Sequence, residues 1–366
     1  MKKVLVLVQG YPDNEGNIEL MYVHVRNKYY IEKGIDVTVL NFKSKKNYLI
    51  DGVRVINEVT YKEQDNNYDT IITHAPNIRN HYRFLKRYGY KFNHIIFFFH
   101  GHEILMINKV YPEPFKFIND EGWIKKNLQN LYDMIKIKLR KKYFDQIMVK
   151  SDFIFVSNSL YKEFNAFFKY DNKYHLKNVH IINNSVGEIF EKNEYDSKST
   201  KRYDFITIRN DLDSSTYCID LVCKLALKNP EFRFLIIGRG TIFNYIKKPE
   251  NVVWVNKFLP HNRLLSFIDV SSCALMLTRR DTQGVMSCEL VTYGIPLITS
   301  DIPVCHEIFD NIKNVSFISN DVDTVRLKDA YNSSLLETNN HKVEKYNYIN
   351  TVKKEVEIIC DKSFCK

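Results

Sequence analysis

A chain of 366 residues, 45% hydrophobic and 26% charged, is long enough for two domains of ordinary size and too varied to be collagenous, low-complexity or disordered. Its seven cysteines are odd in number, all lie after residue 217 and show no CxxC spacing, so they indicate neither a disulfide framework nor a zinc site but free thiols in a reducing compartment. The net charge of +10 is uneven: residues 1–187 hold 29 Lys and Arg against 19 Asp and Glu, and the remainder hold 24 of each. A basic half attracts phosphates, nucleic acid or an anionic membrane, or is simply a solvated Lys-rich surface.

In chain order, residues 4–8 form the first apolar run. It is too short for a signal-peptide core and no small-residue cleavage site follows, so it reads as a buried strand ending in a loop. No run approaches the ~20 apolar residues that span a bilayer. Further strands are predicted at 36–40, 70–73, 94–99, 153–157 and 179–182, with helices at 18–32, 77–87, 124–150 and 159–168. Continuous apolar strands alternating with helices imply a parallel sheet covered on both faces. The polar stretch 191–202 (EKNEYDSKSTKR) carries no apolar anchor and reads as a linker. The pattern then restarts, with strands at 205–208, 232–237, 252–255, 273–278 and 296–299 and helices at 216–227, 263–268, 285–293 and 321–336. A last helix, 341–360, is expected near the interdomain junction or back on the first domain. The predicted organisation is a first domain at 1–187, a linker at 188–202, a second domain at 203–338 and a C-terminal helical segment at 339–366. Ligands bind outside the carboxyl ends of the strands in doubly wound sheets, so two such units suggest a cleft between facing crevices.

The most informative stretch is 277–301, LTRRDTQGVMSCELVTYGIPLITSD. A strand ends near Thr278, a polar loop carries Arg279, Arg280 and Asp281, and Gly284 opens a helix containing Glu289. Free N–H groups at such a helix start take anionic or hydroxyl-bearing ligands. Asp281 and Glu289 are placed to line one cleft and accept hydrogen bonds from sugar hydroxyls, and the helix N-terminus is expected to keep both ionised. The same stretch as an ordinary βα loop would hold a solvated Asp in a capping role.

With Gly294-Ile295-Pro296 and Ser300-Asp301 following, this stretch resembles family-4 glycosyltransferases and their retaining GT-B relatives. Their signature is an acidic residue, seven residues, Glu, an apolar helix and a Gly-x-Pro lead into a strand. The resemblance implies an α/β GT-B fold, two Rossmann-like doubly wound domains facing across a cleft. It implies that Asp281 contacts the transferred sugar, the backbone of Gly284, Val285 and Met286 the sugar or phosphate, and Glu289 the ribose hydroxyls. Residues 206–209 and 212–225 resemble the first strand and helix of the family's second domain, where Arg209 would hold the donor diphosphate with its planar fork. Residues 234–240 (FLIIGRG) resemble the next strand and glycine turn, in which Gly238 permits close backbone approach or serves an ordinary turn. In the first half, Gly16 would lie near the phosphates and His100, within FFFHGHE, near the reacting sugar, with His102 as its alternative. The resemblance covers nearly the whole chain and is strongest over 204–308.

Two positions depart from the family pattern. No Lys follows Arg209 within 210–217, so Arg239, Arg279 or Arg280 would have to supply that charge, and Asp281 replaces the commoner Glu. Asp211-Leu212-Asp213 has the form of a metal-binding DxD, but three residues are a weak pattern, and neither a metal nor another cofactor is expected. The segment 123–150 sets Ile124, Leu128, Leu131, Ile135 and Leu139 on one helical face, among eight Lys and Arg and two Asp. It reads either as a domain helix packing that stripe on the core or as a basic amphipathic helix on an anionic membrane. Lys138, Arg140, Lys141 and Lys142 would then mark the membrane or acceptor side. No nucleic-acid-binding module is recognisable, and nucleic acid is not an expected partner.

The activity implied is metal-independent, retaining transfer of a hexosyl group from a nucleotide sugar, UDP-linked by family frequency, to a glycan or lipid-linked acceptor in surface polysaccharide assembly of bacterial type. Arg209, Asp281 and His100 would be the catalytic residues. The alternatives are a GT-B-fold nucleotide-sugar epimerase, which needs no acceptor, and a non-catalytic sugar-binding partner subunit, which the missing Lys keeps open. The expected location is cytoplasmic, with room for peripheral attachment to the inner face of the cell membrane.

Overall fold

The computed structural model describes residues 2–17, 19–64, 67–118, 122–170, 176–336 and 342–361. The expected helix starts at Ile18 and His341, and Cys365, lie outside the described residues. The chain divides into two compact units. One comprises Met1–Ile107, Asn130–Ser185 and Tyr348–Lys366, and the other Asn108–Gln129 and Val186–Asn347.

The first unit is built on eight strands: β1 (Lys3–Val8), β2 (Asp36–Asn41), β3 (Tyr48–Ile50), β4 (Val53–Ile56), β5 (Thr70–His74), β6 (His94–Phe99), β7 (Ser151–Phe155) and β8 (Val179–Ile181). Their order is β3-β4-β2-β1-β5-β6-β7-β8. All pairs are parallel except the β3–β4 hairpin. Every residue of β5, β6 and β7 is buried, because helices cover both faces, which is why these strands read as continuous rather than alternating apolar runs. The strand order reverses direction at β1 and β5, which places a crevice at their carboxyl ends. The hairpin was not predicted. Its turn residues Asp51 and Gly52 both have positive φ (46° and 80°), as a two-residue hairpin turn requires, but strands of three and four residues are too short for periodicity to register.

The second unit holds β9 (Tyr203–Asp211), β10 (Phe234–Arg239), β11 (Val252–Val255), β12 (Ser271–Met276), β13 (Leu297–Ser300) and β14 (Val315–Ile318), all parallel, in the order β11-β10-β9-β12-β13-β14. Here the order reverses at β9 and β12. Successive side chains feed opposite faces. Ile206, Ile208, Leu235 and Ile237 enter one core, and Phe205, Phe234 and Ile236 the other.

Three stretches behave differently from a simple division into halves. Residues 108–129 belong to the second unit, where Phe115 and Ile118 pack on its core. The C-terminal helix Tyr348–Ile359 belongs to the first unit. There Val352 and Ile359 join the core, and the fully buried Glu355 pairs with Arg26 at 3.0 Å. The stretch read as an unanchored linker is seated on the second unit. Phe190 is fully buried, Tyr195 packs its ring against Tyr293 and donates to the Ser271 carbonyl at 2.6 Å, and the Asp196 N–H bonds Asp269 at 3.1 Å. A single Tyr among charged residues has no periodicity to betray it, yet it is the anchor. Among the described residues, no helix is long and apolar enough to cross a membrane.

Candidate functional site

In the second unit, Arg209, Gly238, Asp281 and Gly284, with Val285 and Met286 following, lie at the carboxyl ends of β9, β10 and β12, where the strand order reverses. Arg209, near the end of β9, is buried; its Nη2 donates to the Leu277 carbonyl at 2.8 Å, and its guanidinium lies 4.8 Å from the centre of the Tyr217 ring. Burial lowers its pKa, and the nearby Asp281 carboxylate opposes that shift. Its Nε is buried without a partner, so a strong donor remains unspent in the crevice. Gly238 lies beside it in β10. A Cβ there would fall 2.0 Å from the Arg209 carbonyl oxygen, and the β9–β10 register shifts between Ile237 and Arg239. The glycine therefore lets two backbones meet at the residue that carries the guanidinium.

After β12 the loop is held by a closed set of polar contacts. The Thr278 N–H donates to Ser300 Oγ at 2.8 Å, Ser300 Oγ to Asn320 Oδ1 at 2.7 Å, and Asn320 Nδ2 to the Thr278 carbonyl at 3.1 Å. Asp281 Oδ1 accepts from the N–H groups of Thr282 and Gln283 at 2.7 and 3.2 Å, which turns the chain into the helix Val285–Tyr293. The other oxygen faces Gly284, whose Cβ would lie 3.0 Å from it. Gly284 has φ +73° and opens the helix without a side-chain cap, so the first N–H groups are left for a ligand. Asp281, Gly284, Ser287 and Thr299 border a void of about 10 Å³, roughly one water in size. Val285 and Met286 follow in the first turn, both half-buried, with Met286 packed against the core.

Glu289 lies apart from this void. The residue is 4% exposed, and its carboxylate accepts from the Gly187 N–H at 3.1 Å and shares the space beside Gly187 with the His261 imidazole. The expectation that the helix N-terminus keeps it ionised is corrected: burial raises its pKa to about 7, only partly offset by the Gly187 N–H. Nor does Asp211-Leu212-Asp213 have its second carboxylate to spare. Asp213 takes hydrogen bonds from the Thr241 N–H and hydroxyl and from the Ile242 N–H, at 2.7 to 3.0 Å. Of the three arginines considered for the missing Lys, Arg279 is committed to Asp220 in a two-pronged pair at 3.0 and 2.6 Å. Arg280 is buried over the Tyr111 ring at 4.2 Å, and Arg239 is exposed.

In the first unit, a cavity of about 520 Å³ opens at the carboxyl ends of β1, β2 and β5, lined by Gln9, Phe42, Asn77, Arg79 and Asn80. Gln9 Oε1 accepts from the side-chain amides of Asn77 and Asn80 at 2.7 and 2.8 Å, and Asn77 caps the following turn by accepting from the Asn80 N–H at 2.7 Å. Sequence reasoning missed this group. The signal was Asn-x-x-Asn directly after a buried strand, a capping pattern that says nothing of Gln9 until the strands pair. Gly16 lies in the exposed loop after β1 with φ +98° and open space where a Cβ would go.

His100 follows β6 and is half-buried. Its ring centre is 5.0 Å from that of Tyr22, and its Nε2 is 3.4 Å from Nδ1 of His74. Burial, with Arg26 adding, pushes its pKa down to about 3, so the imidazole is neutral near pH 7. The Glu103 carboxylate receives the N–H groups of His100 and Gly101 and fixes the turn. His102 is exposed. Arg26 itself is fully buried and bonds Glu355, the Tyr22 carbonyl and Asn184 at 3.0, 3.1 and 3.0 Å.

The four basic residues assigned to a membrane or acceptor side separate into two pairs. Arg140 is buried and donates to the Pro76 carbonyl, and Lys141 donates to the carbonyls of Phe168 and Lys169 at 2.7 and 3.1 Å. Those two assignments are corrected, since both side chains serve the fold. Lys138 and Lys142 are exposed.

No family model matches the chain, and no curated protein matches it by sequence. Solved structures do share its architecture. Sucrose-phosphate synthase from Thermosynechococcus elongatus is 10% identical with a TM-score of 0.67, over 99% of this chain and 96% of that one. WaaG, a glycosyltransferase involved in lipopolysaccharide biosynthesis, is 12% identical with a TM-score of 0.64, over 98% and 99%. An alpha,alpha-trehalose-phosphate synthase (UDP-forming) from Burkholderia vietnamiensis is 10% identical with a TM-score of 0.60, over 99% and 94%. Likeness at such identities is likeness of fold. The two parallel-sheet α/β units are of the Rossmann type, and the fold of the chain is GT-B.

Proposed function

We propose that the protein is a retaining glycosyltransferase that moves a sugar from a UDP-sugar to a hydroxyl of a glycan or lipid-linked acceptor in surface polysaccharide assembly. The observation that carries this reading is the buried Arg209 guanidinium, its Nε unspent, beside Asp281 and a glycine-opened helix N-terminus. A diphosphate leaving group needs such an arrangement: fixed positive charge and N–H donors, already in place, where negative charge develops. Asp281 would accept from hydroxyls of the transferred sugar and Glu289 from the ribose. His100, neutral, would donate to or accept from the sugar without taking its proton. The amide-lined cavity at Gln9, Asn77 and Asn80 would take the acceptor, since amides offer both donors and acceptors to hydroxyl groups. Retention is supported by the resemblance at 277–301, and UDP by that resemblance and by the name of the UDP-forming synthase of similar fold. Asp213 is spent on its own turn, so the diphosphate charge falls to Arg209 and the helix, and no metal is invoked.

The test is incubation with a panel of UDP-sugars and acceptors, with and without chelator, reading UDP release and the anomeric configuration of the product. Release that persists with chelator and falls about 100-fold or more in Arg209→Ala, at unchanged melting temperature, is the expected result. Release indifferent to Arg209 sinks the reading. An epimerised donor formed without acceptor, or binding with no turnover under any acceptor, replaces it with the epimerase or the non-catalytic subunit.

A further inference from the structure

The helix Trp123–Ile147 is packed inside out. Its buried side carries Asp133, Lys136 and Arg140 beside Tyr143 and Phe144. Lys136 Nζ donates to Asp133 at 2.6 Å and to the Leu105 and His102 carbonyls at 2.7 and 2.9 Å, Asp133 accepts from the Ile107 N–H at 2.8 Å, and Arg140 donates to the Pro76 carbonyl. The opposite side exposes half or more of Leu131, Met134 and Ile135, and Trp123, Ile124 and Leu128 in the preceding turns are more exposed still. Steps of four, three and four from Ile124 to Ile135 keep to one helical face. The next steps, of three and four, reach the exposed Lys138 and Lys142. Of the two readings of this stripe, packing on the core does not hold: all of it but the half-buried Leu139 faces water, and the buried side carries three charged residues. Single exposed apolar residues are ordinary, whereas a contiguous stripe marks a surface that is covered in use.

We propose that this stripe docks on an anionic phospholipid bilayer, with Leu131 and Ile135 entering the interface and Lys138 and Lys142 meeting lipid phosphates. Charge selects the occupant. The basic excess of the chain lies wholly in residues 1–187, and neither acid of the helix opposes an anionic surface: Asp133 is buried, and Asp145, off the stripe, accepts from the Tyr170 hydroxyl at 2.9 Å. A second copy on the same face would bring its own Lys138 and Lys142, and like charges would repel. The helix lies along the surface rather than across it, as an amphipathic helix with an apolar stripe and flanking lysines does.

Flotation of the full chain with phosphatidylglycerol-containing vesicles, against pure phosphatidylcholine vesicles, tests this at low and high salt. The expected result is salt-sensitive binding to the anionic vesicles alone, reduced about tenfold or more in Leu131→Gln/Ile135→Gln and about 25-fold in Lys138→Gln/Lys142→Gln, each lysine contributing roughly fivefold. These side chains are exposed, so the melting temperature stays that of the parent, and a variant that melts earlier is replaced by the single substitution Ile135→Gln. Absence of binding to anionic vesicles at low salt overturns the proposal, as does undiminished binding of Leu131→Gln/Ile135→Gln. A dimer that this variant dissolves and that vesicles do not compete away would assign the face to a second copy instead, and overturn it equally.

Discussion

At the residue scale, Glu289 ties stability to pH. Its carboxyl is buried with one N–H partner and titrates near 7 in the folded chain against about 4.5 for an ordinary glutamate. Between those values the folded state holds a proton that the unfolded chain has lost, so stability falls as pH rises from about 4.5 to about 7 and is level beyond. Glu289→Gln is expected to raise stability at pH 8 by about 1–3 kcal/mol and to leave it nearly unchanged at pH 4.5, which urea titration at the two values checks. If Glu289 accepts from ribose hydroxyls it must be ionised to do so fully, and UDP affinity should then rise with pH through about 7 in the parent and lose that dependence in Glu289→Gln, as calorimetry would show. The spacing of Asp281 and Glu289 was legible in the sequence. Their separate surroundings were not, because Gly187 and His261 reach Glu289 from distant parts of the chain.

At the scale of elements, the C-terminal helix Tyr348–Ile359 is held by a pair that no local pattern announces. Arg26 and Glu355 are both fully buried, and the Tyr30 hydroxyl donates to the same carboxylate at 2.5 Å. Removing one member leaves a buried charge unmatched, so Glu355→Gln is expected to destabilise the protein by about 3–5 kcal/mol, and Arg26→Met in the same chain to recover much of that loss, by denaturant unfolding. Arg26 also depresses the His100 pKa, so Arg26→Met should move the His100 titration upward, which NMR of the imidazole would follow. The helix Trp123–Ile147 teaches the complementary lesson. Its heptad-like apolar spacing was correctly read as one face of a helix, but periodicity reports that a face exists, not which way it points. The orientation was set by Lys136, Asp133 and Arg140 finding carbonyl and carboxylate partners on the inner side.

At the scale of the whole molecule, the chain visits its two units more than once: 108–129 leaves the first for the second, and Tyr348–Lys366 returns. A cut at 187 therefore divides neither unit cleanly. The fragment 1–187 lacks Val352, Ile359 and the partner of Arg26, and 188–366 lacks Phe115 and Ile118. Each fragment alone is expected to show early, poorly cooperative thermal unfolding by calorimetry. A peptide spanning 342–361, added in trans, should sharpen and raise the transition of 1–187. A fragment that unfolds cooperatively at the temperature of the intact chain would show that the crossing segments are ornaments to domains already complete.

By itself the sequence determined what neighbouring residues encode. The buried strands β1, β6 and β9, the helix Val285–Tyr293 between Gly284 and Gly294, and the alternation that demands two doubly wound sheets all follow from side-chain period and from glycines at positive φ, which residues with a Cβ rarely adopt. The tertiary structure alone decided the rest. Arg26 and Glu355 stand 329 residues apart, the amides of Gln9, Asn77 and Asn80 meet only when β1 and β5 pair, and a polar helix face turns inward only where partners await it. Such choices depend on which distant groups satisfy one another once water is excluded, and no window along the chain contains that information.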